Sequence, residues 1–218
     1  MKLTEIKDLY SLHDDPSSLT GYADAHEKIP EMAWAKYSHD DAELRKREAL
    51  WTTDAEYAYY YATDVLKGPF PAGEKTIATD AQYAYYYAKV LKGPFPAGEK
   101  AIAMNADYAC WYAQNVLKGP FPLGEKAIAM NAGYAYYYAE FVLKGRFPAG
   151  EKAIATDAQY AYYYAEFVLK GPFKLGEKAI ATDADYAYAY KYVRDILKLD
   201  PKSEKEAHDI LKAHKARR

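Results

Sequence analysis

The sequence predicts an all-α solenoid of about six helical-hairpin repeats, and three observations carry the prediction. A block of 25–26 residues recurs between Thr53 and Lys198. Each copy carries its own helix start and stop, and each long helix has a broad, alanine-rich apolar arc. Copies begin at Thr53, Thr79, Met104, Met130, Thr156 and Thr182, in steps of 26, 25, 26, 26 and 26 residues. A fixed period in this range marks stacked supersecondary units that bury their apolar faces only against their neighbours.

Residues 1–52 are not a repeat and read as an N-terminal helical cap. A first helix is expected over Thr4 to His13, a break at Asp14-Asp15-Pro16-Ser17-Ser18, and two more helices near Glu31 to Tyr37 and Asp40 to Leu50. The last of these is rich in charges of both signs, as the polar outer face of a solenoid end requires.

Within the repeats, covering 53–198, an Asp or Asn stands second in every copy (Asp54, Asp80, Asn105, Asn131, Asp157, Asp183). Its side-chain oxygen can accept from the free N–H groups of a helix start. Thr53 with Glu56, and Thr79 with Gln82, have the spacing of a capping box. The long helix is expected to run about 13 residues to Lys67, Lys92, Lys118, Lys144 and Lys170, the length read from the spacing of start and stop signals. A cation there complements the helix dipole. Gly68, Gly93, Gly119, Gly145 and Gly171 follow as expected left-handed caps, with a Pro next in four copies. Pro71 or Pro96 can then open a second helix of roughly two turns.

On a wheel of 100° per residue with Tyr57 at zero, Tyr61, Val65, Ala58, Ala62 and Ala55 span an arc that ends with Leu66 at about 180°. Alanine on such an arc permits close approach between neighbouring helices. Tyr60 lies outside it, among polar residues. The same position recurs as Tyr86, Trp111, Tyr137 and Tyr163, flanked by residues that vary between repeats: Glu56, Gln82, Asp107, Gly133 and Gln159 on one side, Thr63, Lys89, Gln114, Glu140 and Glu166 on the other. Helix packing would set these rings roughly 8–10 Å apart. They form either a binding row or a set of rings lying flat against adjacent helices with only the hydroxyl wet. Residues 199–218 read as a C-terminal capping helix that begins with Ser203 and Glu206 and ends in the basic run His214-Lys215-Ala216-Arg217-Arg218.

Chemistry is sparse. There is no Gly-rich phosphate loop, nucleophile elbow or zinc-like Cys and His spacing, and no catalytic residue, metal or cofactor is predicted. The histidines cluster at the ends as His13, His26, His39, His208 and His214. The first and third precede Asp pairs, which leaves a hydrolase or nuclease site in the N-terminal cap as an alternative. Glu74, Glu99, Glu125, Glu151 and Glu177 form a carboxylate series that helix-dipole complementation accounts for. Cys110 is the only cysteine. With a polar start, no long apolar run and a net charge of −2, the expectation is a soluble cytosolic protein without disulfides. Twenty-five tyrosines are the unusual feature of the composition.

The strings Tyr-Ala-Tyr-Tyr-Tyr-Ala, Val-Leu-Lys-Gly-Pro-Phe-Pro and Gly-Glu-Lys-Ala-Ile-Ala resemble those of tyrosine-rich helical repeat proteins found in bacteriophages. The resemblance covers residues 53–198, about two thirds of the chain. It implies a protein acting in the cytoplasm of an infected bacterial host as an antagonist of host defence, its target a bacterial immune protein or a retron-like nucleoprotein. It transfers no catalytic residue. Two readings of the tyrosine row follow: a non-enzymatic scaffold that binds a host protein or nucleoprotein through Tyr60, Tyr86, Trp111, Tyr137 and Tyr163, or a single-stranded RNA or DNA binder that stacks bases on those rings and neutralises phosphates with Lys92, Lys118 and Lys144.

Overall fold

The computed structural model describes residues 51–182 and 187–216, together with residue 49; the side chains of 214–216 are not described. The expected N-terminal cap, including His13, His26 and His39, therefore lies outside the described residues apart from its last few positions. The described residues are all helical, without strands, and pair a long helix with a short one in repeat after repeat. Successive long helices touch, and each short helix packs on its own long helix, so the chain is an all-α repeat solenoid. None of these helices is long and apolar enough to cross a membrane.

The long helices start as the cap residues predict. Asp54 accepts from the Glu56 and Tyr57 N–H groups at 2.9 and 3.1 Å, and Asn105 from those of Asp107 and Tyr108 at 3.0 and 3.2 Å. Asp80, Asn131 and Asp157 each accept from one N–H of the first turn. The threonines before Asp80 and Asp157 play a different part from the capping box. Thr79 and Thr156 donate their hydroxyls back to the carbonyls of Thr76 and Ala153 at 2.7 Å, closing the end of the short helix.

Five repeats then depart from a plain α-helix in the same way. In repeat 1 the α-helix Ala55–Tyr60 continues as a π-helical turn, Tyr61–Leu66. Repeats 3, 4, 5 and 6 do likewise at Tyr112–Leu117, Tyr138–Leu143, Tyr164–Leu169 and Tyr192–Ile196. Repeat 2 is α-helical throughout, Ala81–Leu91. The cause is visible in the sequence: Ala62-Thr63-Asp64-Val65 has two residues between alanine and valine, whereas Ala88-Lys89-Val90 has one. A π turn absorbs one residue more than an α turn, so both versions deliver the following Val-Leu-Lys-Gly to equivalent positions.

At the helix exit the structure corrects the expected caps. The left-handed residue is the lysine, with φ of 54° at Lys67, 56° at Lys92, 53° at Lys118, 52° at Lys144 and 52° at Lys170, and no described glycine has positive φ. The Ala62 carbonyl accepts from both Lys67 and Gly68, so the reversal falls one residue earlier than the glycine. Gly68 instead follows the reversal, and a Cβ there would approach only the Leu66 carbonyl, at 3.9 Å. The loop that follows tightens through a Gly73 N–H to Phe70 carbonyl bond of 3.0 Å into the short helix Glu74–Ile77, one α turn rather than two.

The core is built from a few positions repeated. Ala58 and Ala62, with their equivalents, are fully buried, and so are Ile77, Ile102, Ile128, Ile154 and Ile180. Each such isoleucine contributes about 1.5–3 kcal/mol by burial. Gly150 is where the short helix meets the long one: a Cβ there would lie 2.6 Å from the Phe147 ring and 2.7 Å from the Ala135 Cβ. The fully buried tyrosines are Tyr61, Tyr87, Tyr112, Tyr138, Tyr164 and Tyr192, in steps of 26, 25, 26, 26 and 28 residues. The last step shows that repeat 6 carries two extra residues before its core tyrosine. The chain closes with the helix Glu204–Ala216, whose N-terminal Glu206 N–H bonds the Ser203 hydroxyl at 3.1 Å as expected. Ala207, His208 and Leu211 of that helix are buried.

Candidate functional site

Two layers of aromatic rings run along the solenoid. The inner layer is structural. From Tyr87 onward, each buried core tyrosine reaches back into the preceding repeat, where its hydroxyl accepts from the N–H of the loop phenylalanine and donates to the first carboxylate of the short helix. Tyr138 accepts from Phe121 N–H at 2.8 Å and donates to Glu125 Oε1 at 2.9 Å. Tyr87, Tyr112, Tyr164 and Tyr192 repeat the arrangement with Phe70 and Glu74, Phe95 and Glu99, Phe147 and Glu151, and Phe173 and Glu177. The glutamates of this series are therefore inter-repeat acceptors and more than dipole partners. Burial pushes the hydroxyls of Tyr87, Tyr112 and Tyr164 up to about 12, against a lowering from the phenylalanine N–H. Where Arg146 replaces the usual proline, its guanidinium also pairs with Glu151 at 2.8 Å.

The outer layer contains the row singled out from sequence. It is more packed than an open binding row would be. Tyr86 is only 9% exposed; Tyr60, Trp111 and Tyr163 are half-buried, and Tyr137 is 39% exposed. The rings interlock across repeats: Tyr59 lies 5.7 Å from Tyr83 and 6.0 Å from Tyr86, and Tyr136 lies 6.0 Å from Tyr160 and 5.8 Å from Tyr163, all tilted. Contacts of this kind contribute about 0.5–1.5 kcal/mol each beyond area burial. At repeat 3, Cys110 takes the place of the interlocking tyrosine, and Trp111 meets Tyr134 edge-on at 6.2 Å instead. Cys110 is buried, its thiol pushed up to about 12 by burial, as befits a small apolar residue.

The variable acids beside the row engage ring hydroxyls. Burial first, and then the charge of Glu56, raise Tyr83; burial and then Glu140 raise Tyr136; burial and then Glu166 raise Tyr162. Tyr162 also donates to Asp195 at 3.2 Å. Lys92, Lys118 and Lys144 are exposed at the left-handed caps, one per repeat.

A feature beyond the row is the residue that the π turn adds. It is Asp64 in repeat 1, Asn115 in repeat 3, Asp195 in repeat 6, and a phenylalanine in repeats 4 and 5. Phe141 and Phe167 are each 48% exposed. Phe141 stacks on Tyr137 at 6.1 Å and Phe167 lies 5.9 Å from Tyr163. Repeats 4 and 5 thus present four aromatic rings on adjoining helices, with Glu140 and Glu166 among them. The one-residue length difference from repeat 2 was the signal that could have found this surface. Among the described residues, no group of three or more His, Cys, Asp or Glu side chains could hold a metal ion.

Comparison of the chain with family models, curated proteins and solved structures finds no match.

Proposed function

We propose that the chain is a non-enzymatic recognition scaffold whose binding surface centres on Tyr137, Phe141, Tyr163 and Phe167. The observation that carries this reading is the pair of half-exposed phenylalanines on adjacent repeats. Nothing in the packing calls for them there, since repeat 2 forms its interface without the residue at all. Solvent-exposed large aromatics, clustered on a rigid array, are what interface cores are made of. Following the resemblance to phage repeat proteins, the partner is a host immune protein or a retron-like nucleoprotein in the bacterial cytoplasm.

A second reading, single-stranded nucleic acid on the tyrosine row, draws on the column of exposed lysines at Lys92, Lys118 and Lys144. It is the weaker of the two, because the row rings are turned toward each other and the acids Glu140 and Glu166 stand beside them, where they repel phosphates.

The test is capture of a partner from bacterial lysate by the parent chain and by the Phe141→Ser, Phe167→Ser pair. The pair is expected to lose the partner while keeping its helical circular dichroism. Retention of the partner by a folded variant removes this surface. Affinity for a nucleic acid would fall with salt at a log-log slope of roughly −0.7 per phosphate contact, whereas aromatic burial responds weakly.

A further inference from the structure

The geometry points to the repeat 4 and 5 surface as a receptor for a cationic side chain, the guanidinium or ammonium group of an Arg or Lys on a protein partner; this rests on the scaffold reading above.

The chain itself shows that ring pairs on this face accept a cation. In repeat 2 the Lys89 Nζ sits over Tyr85 and Tyr86, 5.7 and 5.9 Å from their centroids. At the junction of repeats 5 and 6 the Lys191 Nζ sits over Tyr162 and Tyr188, at 5.9 and 5.4 Å. In repeat 4 the equivalent rings are Tyr136 and Tyr137, and the position of Lys89, four residues after the first ring and three after the second, is held by Glu140. Among the described residues no lysine or arginine lies over Tyr136, Tyr137 or Tyr163.

Where the chain supplies its own cation in repeat 2, it supplies an acid in repeat 4. Glu140 sits against the Tyr136 hydroxyl, and its Oε2 is buried without a hydrogen-bond partner. Glu166 occupies the same place in repeat 5, against Tyr162. An apolar partner laid over Phe141 and Phe167 would leave the Glu140 Oε2 without compensation, which is costly. A guanidinium resolves both demands, because its plane stacks on a ring while its N–H groups donate to a carboxylate. The walls of the receptor are Phe141 and Phe167, present in these two repeats and replaced by Asp or Asn, or missing, in the others.

The experiment uses the full chain and two fluorescein-labelled glycine-rich peptides, one with a central arginine and one with citrulline, its uncharged isostere, followed by fluorescence anisotropy. The arginine peptide is expected to bind at least tenfold more tightly than the citrulline peptide, and to weaken about tenfold with Glu140→Gln plus Glu166→Gln. Phe141→Leu with Phe167→Leu, which keeps apolar area and removes the rings, should weaken it comparably. Equal binding of the two peptides, no binding of either, or variants that bind like the parent would overturn the cation assignment. In that event, a serine pair at 141 and 167 that still loses its lysate partner leaves the scaffold reading standing. A serine pair that keeps the partner removes the scaffold reading as well.

Discussion

Tyr138 and Glu125 belong to different repeats and are joined by a 2.9 Å hydrogen bond in which the phenol donates to Oε1. The same oxygen of Tyr138 accepts from Phe121 N–H, so one hydroxyl satisfies a buried backbone donor and a carboxylate of the preceding repeat at once. Neighbouring repeats are thereby coupled by a directional bond as well as by apolar contact.

Tyr138→Phe should cost about 1–3 kcal/mol, because it keeps the ring and leaves the Phe121 N–H buried without an acceptor. Denaturant unfolding measures it. A midpoint equal to that of the parent would show that the hydroxyl contributes nothing to repeat coupling.

Alkaline pH should unfold the array cooperatively. The core hydroxyls of Tyr87, Tyr112 and Tyr164 are raised from 10.0 to about 12, mainly by burial, so the folded chain holds protons that the unfolded chain releases. Their contribution is complete below pH 10 and is lost as pH rises through 10 toward 12. Tyrosinate absorbance and helical circular dichroism should change together for these residues. Ionisation of all the tyrosines near pH 10 with helicity intact would contradict this account.

Ala135→Leu should cost on the order of 1–3 kcal/mol, since Ala135 is fully buried where Gly150 of the short helix comes closest. Gly150→Ala should destabilise for the same reason, its Cβ meeting Phe147 and Ala135 below 3 Å. Thermal midpoints of the two variants, compared with an exposed control such as Lys152→Ala, test the contact.

Deleting Phe141 should be tolerated. Repeat 2 shows the outcome, an unbroken α-helix that ends at an equivalent lysine. The expected loss is within about 1 kcal/mol, whereas deletion of Ala139 gives a helix of the same length but moves Glu140 into the fully buried alanine position and should destabilise far more. Circular dichroism and denaturation of the two deletions decide between these expectations.

The period, the Asp and Asn caps and the alanine face were legible in the sequence because each is a local rule repeated at fixed spacing. The π turn was not. A wheel of constant pitch puts Leu66 on the apolar arc, yet it is 42% exposed in the first repeat, whereas Leu91, Leu117, Leu143 and Leu169 at the same position pack against the core. The left-handed lysines were missed for a related reason: a glycine beside them made the usual cap available one residue too late. The pairing of Glu125 with Tyr138 joins residues 13 apart in different repeats, and only their constant separation in successive copies hinted at it. Of the proposed row, Tyr137 faces solvent, while Tyr86 was placed outward by a pattern that cannot see the ring of the next repeat folding over it.

The π turn separates what the array must conserve from what it can change. A codon gained or lost after the second alanine of a long helix adds or removes one outward side chain, and the wider or narrower turn restores the register before the loop begins. Insertions, ordinarily ruinous inside a helix, become here a means of diversifying a surface while every interface beneath it stays in frame.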